Sequence, residues 1–269
     1  MKLKIILTIN ILFVNLTYSQ MDTIFTFNET IICKIKEVND NSIKFSYPNE
    51  ELINTIKKNK IQKIIFSSGR IKIFSEASKY KNIFGWEDWE KVTTTTIKDE
   101  IDGLYKLDDV SSKVKAGSEF SNLNKIKDKA IRKLKIRTAM LGGNIVFITN
   151  DHTTGVKYSW GATNTAEVIL NGIAYNNRIP SINKFKELVN KQKNWTITKI
   201  IKMPYNKKTP NIINAYNKKI DISNYLIDNF FIFVKYNDEL LKVISIKDNE
   251  MILMTKDKRR IINYVIKCP

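Results

Sequence analysis

The sequence predicts an α+β chain, with small β-barrel or meander domains of SH3- or Sm-like size flanking a central unit of one long helix on antiparallel strands. Three observations carry this. Residues 22–76 and 226–268 are rich in β-branched and aromatic residues, broken by turn clusters. Residues 123–141 repeat apolar residues at helical spacing and run into a glycine pair. Residues 144–175 return to β-branched runs, and a helix followed by antiparallel strands is an α+β pattern.

The first element reads as an export signal. Lys2 and Lys4 precede an apolar run, Ile5 to Leu16, broken only by Thr8, Asn10 and Asn15. Thr17 and Ser19 then place small residues at positions −3 and −1 before Gln20, which suits signal-peptidase cleavage after Ser19. The run is short for a bilayer span, which needs about 20 apolar residues. No cysteine sits at the cleavage site, which argues against a lipid anchor. The mature chain is therefore expected in the periplasm or fully outside the cell.

From Gln20 to Glu76 the chain reads as a small β domain. Thr23 to Phe27 and Ile31 to Val38 are strand-like, and Asn39-Asp40-Asn41 turns the chain into Ile43 to Tyr47. Ile61 to Phe66 and Ile71 to Phe74, joined by Ser67-Ser68-Gly69-Arg70, give a hairpin. About five short strands of this kind suit a small barrel, with an open sheet packed on a neighbour as the alternative. Residues 77–180 form the central unit. Within it Trp86-Glu87-Asp88-Trp89 reads as core or interface, Thr93 to Thr96 as a strand, and Gly103 to Tyr105 and Val110 to Val114 as further elements.

Ser121 is the expected N-cap of the long helix, with Leu123, Ile126, Ala130, Leu134 and Leu141 on its apolar stripe. Gly142-Gly143 ends it, since glycine takes the left-handed conformation without steric cost. Asn144 to Thr149 is the next strand, Asn150 to Gly155 a loop, and Val156 to Trp160 and Ala166 to Tyr175 two more strands. Residues 181–225 read as a helix over Ile182 to Gln192, a strand over Ile197 to Met203, and a basic loop or linker over Pro204 to Lys219. The C-terminal β domain, 226–269, holds strands at Phe230 to Tyr236, Leu240 to Ile246, Met251 to Thr255 and Ile261 to Ile266.

A faint internal repeat links the two ends. Asp40 to Phe45 aligns without a gap on Asp248 to Leu253, which places Ile53 on Ile261. Two β domains of similar plan, or two meanders sharing turn chemistry, account for it equally. The cysteines, Cys33 and Cys268, stand near opposite ends. An exported chain permits a disulfide between them, and two buried thiols remain the other reading.

The net charge of +18 allows electrostatic attraction to anionic lipid or polysaccharide. Lysine is spread along the chain, however, and the densest spot, Lys256 to Arg260, reads as a hairpin turn. The export signal makes nucleic acid an unexpected partner.

Ala130-Ile131-Arg132-Lys133-Leu134-Lys135-Ile136-Arg137-Thr138-Ala139-Met140-Leu141-Gly142-Gly143-Asn144-Ile145-Val146, with the later Gly172-Ile173-Ala174-Tyr175, resembles small bacterial envelope domains of the YbjQ-like type, described as heavy-metal-binding. The likeness covers residues 121–176. The whole chain is similar to uncharacterised secreted bacterial proteins through Ile101 to Lys106 and Val110 to Gly117. These resemblances imply a fold, an envelope address and assembly through sheet edges. They bring no catalytic residue, and the metal-binding description does not carry over, because the segment lacks cysteine and has His152 as its one histidine.

The residue inventory points away from catalysis. As the chain's one histidine, His152, beside Asp151, would have to serve any Ser-His or Cys-His mechanism, but a polar loop residue is the simpler reading. Cys33 and Cys268 lack a nucleophile setting, and no hydrolase elbow or zinc-helix motif is present. Gly142-Gly143 follows a helix and so offers no phosphate cradle. Asp88 with Glu90, and Asp108 with Asp109, are the carboxylate pairs a glycosidase would need, though solvated surface acids explain them better. No catalytic, metal or cofactor residue is assigned, and no cofactor is expected. The expected function is a non-catalytic exported envelope protein that binds or assembles with protein, either itself or an envelope partner. The rivals are a polysaccharide hydrolase using a carboxylate pair, and attachment of the basic surface to anionic membrane or glycan.

Overall fold

The computed structural model describes residues 21–26, 29–74, 80–118, 122–155, 157–159, 162–257 and 260–268. The expected leader and the proposed cap Ser121 lie outside the described residues. Strand is the dominant secondary structure and helices are few, in keeping with an α+β class. No described helix is long and apolar enough to cross a membrane.

The first sheet contains β1 (Asp22–Thr26), β2 (Thr30–Val38), β3 (Ser42–Ser46), β4 (Asn54–Lys57), β5 (Ile61–Ile65) and β6 (Ile71–Ile73), in the order β4-β3-β2-β1-β5-β6. Period-two alternation sends Ile24, Ile31, Cys33, Ile43 and Phe45 to one face, and the bulge at Gln62 lets Ile61 join Ile64 there, where they form a core with Phe74. The Asp22 carboxylate accepts the backbone N–H of Ile35 at 2.8 Å and of Ser67 at 2.7 Å, tying β2 and the turn after β5 to the start of β1. Among the described residues β4 and β6 do not pair, so the sheet is open where a closed barrel was expected.

The central unit comprises β7 (Thr93–Thr95), β8 (Tyr105–Lys115), α1 (Leu123–Met140), β9 (Ile145–Thr154), the hairpin β10 (Lys157–Ser159) and β11 (Ala162–Asn164), and β12 (Glu167–Asn176). Its sheet runs β7-β9-β12-β8, with β7 parallel to β9 and the other pairs antiparallel. Two expectations change here. The fragments at 103–105 and 110–114 belong to β8 and its approach, because Asp108 and Asp109 sit within the strand and do not turn it. The expected loop at 150–155 mostly continues β9, since β12 pairs with it as far as Thr154. That pairing bulges between Asn171 and Gly172, where a Cβ on Gly172 would lie 2.6 Å from the Phe147 carbonyl oxygen.

Asn122 caps α1, its Oδ1 accepting the N–H of Asn124 at 2.9 Å and of Lys125 at 3.3 Å. Gly142, at φ +79°, ends the helix as expected, and the Gly143 N–H returns to the Thr138 carbonyl at 2.8 Å. The expected stripe Ile126, Ala130, Leu134 and Leu141 is buried, while Leu123 in the first turn is partly exposed. Ile136, Ala139 and Met140 are buried as well. The reason is that α1 lies between two sheets. One apolar cluster joins it to Val114, Val146, Val168 and Leu170 of the central sheet, and to Ile201, Met203, Ile244 and Val265 of the third.

The third sheet is built from β13 (Asn194–Pro204), β14 (Asn211–Asp221), β15 (Tyr225–Asp228), β16 (Phe231–Tyr236), β17 (Glu239–Lys247), β18 (Glu250–Lys256) and β19 (Arg260–Lys267), preceded by α2 (Ile182–Lys191). Its order is β14-β13-β19-β18-β17-β16-β15, again open among the described residues. Phe185 and Val189 of α2 pack on its second face with Trp195, Ile197, Val234 and Leu253. The segment 204–219, expected as a basic loop, is a short turn followed by β14. Its asparagines and lysines hid the strand, which pairs with β13 along most of its length.

The internal repeat has a structural counterpart. In the β2–β3 hairpin a bulge falls where Ile35 and Glu37 face Phe45 and Lys44. In β17–β18 it falls where Val243 and Ser245 face Leu253 and Ile252, and each of these residues lies 208 positions after its counterpart. The gapless match ends there. Ile53 is exposed outside any strand, whereas Ile261 is buried in β19. The bulged residues differ with their surroundings: Lys36 is exposed, and Ile244 is buried against Gly142.

Candidate interaction surfaces

Lys125, Lys129, Lys133 and Arg137 recur every fourth residue along α1, so they form one ladder of cations. Like charges at this spacing disfavour a helix by a few tenths of a kcal/mol per pair, about 0.2–0.5. The first two are exposed, while Lys133 and Arg137 are 3% and 1% exposed. Their compensation is backbone carbonyl oxygen. Lys133 Nζ donates to the carbonyls of Lys113 at 3.1 Å and Tyr205 at 2.7 Å. Arg137 donates to the Ser111 carbonyl and, at 2.6 Å, to the Tyr205 carbonyl. Its guanidinium also lies 4.5 Å from the centre of the Tyr205 ring. Lys256 Nζ adds the Asp109 carbonyl at 2.9 Å and the Asp108 carboxylate at 2.8 Å.

These contacts have two consequences. Burial, reinforced by Arg137 and Lys208, pushes the Lys133 ammonium down from 10.5 to about 8. Burial likewise lowers Arg137 to about 10. In addition, Asp109, Ser111 and Lys113 alternate along β8, an outer strand of its sheet. Three cations therefore occupy alternate carbonyls of that strand, which makes it a poor template for another chain.

The outer strand β6 is different. Strand registers place Ile32, Thr23, Ile65 and Ile71 in one cross-strand row, and Thr30, Phe25, Lys63 and Ile73 in the next. Ile24, Ile31 and Ile64 turn to the opposite, buried face, so both rows lie on the outer face of the first sheet. Ile32, Ile71 and Ile73 are 56%, 58% and 75% exposed. The result is a band of apolar side chains crossing four strands and ending at β6, which pairs on one side only among the described residues. Lys63 partly covers it, with its ammonium 4.6 Å from the Phe25 ring centre.

The residues singled out in the sequence are dispersed. His152 lies exposed in β9 opposite Ile169, and neighbouring Asp151 is bound to Lys127 at 2.7 Å and Thr153 at 2.8 Å. Asp88 holds Lys91 at 2.6 Å and accepts the Phe84 N–H at 2.8 Å. Glu90 is exposed, and Asp109 stands 3.8 Å from Lys106. Cys33 is buried in the first core, Cys268 is half-buried beside the third sheet, and both are free thiols. Burial, with a smaller effect of Asp22, pushes the Cys33 thiol up to about 11. Among the described residues no group of three or more acidic, histidine or cysteine side chains is placed to hold a metal. Residues 258 and 259 of the basic turn lie outside the described residues.

Sequence reasoning missed both the apolar band and the cation ladder. The ladder was legible as a four-residue spacing. The band was not, because it exists only once strand registers are known. Searches with the chain match no family model, no curated protein and no solved structure.

Proposed function

We propose that this chain is a non-catalytic exported binding module that takes up another polypeptide as an added strand along β6. The apolar band ending at Ile71 and Ile73 carries the reading. An outer strand offers unpaired backbone groups to an incoming strand, and side-chain pockets on the adjoining face select its sequence. The contrast with β8 supports it: one edge is occupied by Lys133, Arg137 and Lys256, whereas β6 ends in exposed isoleucines. Lys72, exposed between those isoleucines, defines the partner chemistry. A strand with an acidic residue flanked by apolar ones would match it, since opposite charges facing across strands stabilise pairing. A second copy is the weaker candidate, because the antiparallel register pairing all three residues sets Lys72 against Lys72.

The reading includes export directed by residues 1–19, with the mature chain starting at Gln20. The likeness to envelope domains over 121–176 agrees with that address. A polysaccharide hydrolase is less favoured, because Asp88 and Asp108 are engaged by Lys91 and Lys256.

Selection from a library of displayed seven-residue strands tests the proposal. Enriched peptides are expected to alternate apolar and acidic residues, and to lose binding to the Ile71→Lys/Ile73→Lys variant. No enrichment, or enrichment indifferent to that variant, would contradict strand capture at β6. Enrichment of the chain's own segments would favour assembly of identical copies.

A further inference from the structure

We propose that the open depression beside the first turns of α1 binds an anion carrying several closely spaced phosphate or sulfate groups. The depression has a volume of about 570 Å³ and is bordered by Lys115, Lys125, Lys129 and Lys208, with Ile126 and Val114 on its apolar side. Lys125 and Lys129 come from the exposed half of the cation ladder, and Lys208 from the turn between β13 and β14. Two separate elements thus bring lysines to one concavity. Among the described residues Lys125, Lys129 and Lys208 form no ion pair, whereas Lys115 is held by Glu167 at 3.4 Å. None of the described residues bordering the depression is a carboxylate.

The cations extend beneath this surface. Lys133, one turn beyond Lys129, is buried and satisfied by carbonyls alone. Its ammonium is lowered by burial first, then by Arg137 and Lys208. Among the described residues Glu167 beside Lys115 is the acid that meets this surface, and positive charge gathered from two elements raises the local potential and attracts anions. The helix N-terminus does not carry this inference, because Asn122 already accepts the N–H groups of Asn124 and Lys125.

The ligand class follows from the donors. Lysine ammonium is a compact point charge, and clustered lysines hold phosphate or sulfate by charge density, without the fixed bidentate geometry of an arginine fork. The volume of the depression and its three lysines without an ion pair among the described residues suit more than one anionic group. A phosphorylated lipid headgroup and a soluble polyphosphate share that chemistry. The inference is independent of strand capture at β6, which lies on a different sheet.

The test titrates the full mature chain with inorganic tripolyphosphate, and separately with vesicles containing cardiolipin, whose headgroup carries two phosphates, at low and high salt. The wild type is expected to bind at least one probe saturably, weakening as salt rises. Lys125→Gln/Lys129→Gln/Lys208→Gln is expected to lose affinity about tenfold or more while unfolding at or above the wild-type temperature, because it relieves like-charge repulsion. Tripolyphosphate binding would identify a soluble ligand, and vesicle binding alone a headgroup. Absence of saturable binding to both probes, or binding equal in the triple variant, would overturn the proposal.

Discussion

Arg137 and Tyr205 are joined twice: the guanidinium donates to the Tyr205 carbonyl at 2.6 Å and stacks 4.5 Å from the centre of its ring. The same guanidinium reaches the Ser111 carbonyl, so one side chain of α1 ties the end of β13 to β8. Helix, central sheet and third sheet meet at this point. Arg137 Nε is buried there without a partner among the described residues.

Arg137→Met keeps the apolar stem and removes the donors, taking the guanidinium from the Ser111 carbonyl and leaving the Tyr205 carbonyl to Lys133 alone. The variant is expected to lose about 1–3 kcal/mol of stability, read as a lower urea midpoint at unchanged slope. A midpoint at or above that of the wild type would show that removing the desolvated charge outweighs the lost hydrogen bonds.

Lys133 makes stability depend on pH in a defined direction. Its folded-state value is depressed to about 8 from 10.5, so the unfolded chain binds more protons between those limits. Its contribution is fully present above 10.5 and is lost as pH falls through about 8. Wild-type stability is therefore expected to rise from pH 8 to 10.5 relative to Lys133→Met. Lys242, lowered to about 8 by burial, acts in the same sense in both proteins, so the difference isolates Lys133. Parallel curves across that window would contradict the assignment.

Gly142→Ala tests the docking of the helix end on the third sheet. The residue sits at φ +79°, and a Cβ there would approach Ile244 Cβ to 2.9 Å. The expected loss is about 1–3 kcal/mol, combining the left-handed backbone with the contact. Gly117→Ala has nothing within 4 Å of the added methyl and should stay within about 0.5 kcal/mol of wild type. Equal unfolding temperatures for the two variants would refute the close approach.

The thiols should separate by reactivity. Cys33 is fully buried with its thiol raised to about 11, and Cys268 is half-buried. Brief alkylation of the native protein is expected to modify Cys268 alone, and denaturation to expose both. A denatured, unreduced chain that takes up no label would instead reveal a disulfide.

Strand positions in the first sheet were largely readable because one buried face imposes period-two alternation on residues such as Ile43 and Phe45. Those in the third were readable because strands such as Met251 to Met254 and Ile261 to Ile266 bury both faces and read as near-continuous apolar runs. Helix α1 was readable from its stripe and its glycine end. Two strands were misread as loops because their polar composition, Asn150 to Thr154 and Asn211 to Lys219, says nothing of a neighbour that supplies the ladder. The lysine spacing on α1 was visible, yet burial of Lys133 and Arg137 depends on the third sheet covering the helix, and that contact is remote in sequence. The band through Ile32, Ile65 and Ile71 depends on registers fixed by three separate pairings. The repeated bulge falls between: the repeat was legible, but its shared geometry required the structure.

Site-specific photo-crosslinking from position 73 in cells that naturally make the chain tests strand capture most directly. With a photoreactive residue at Ile73, a polypeptide adduct is expected, absent when the probe stands at the exposed Leu123. Mapping should place the linked residue in an extended segment alternating apolar and acidic side chains. No polypeptide adduct from position 73, or the same adducts from both positions, would contradict the proposed role of β6.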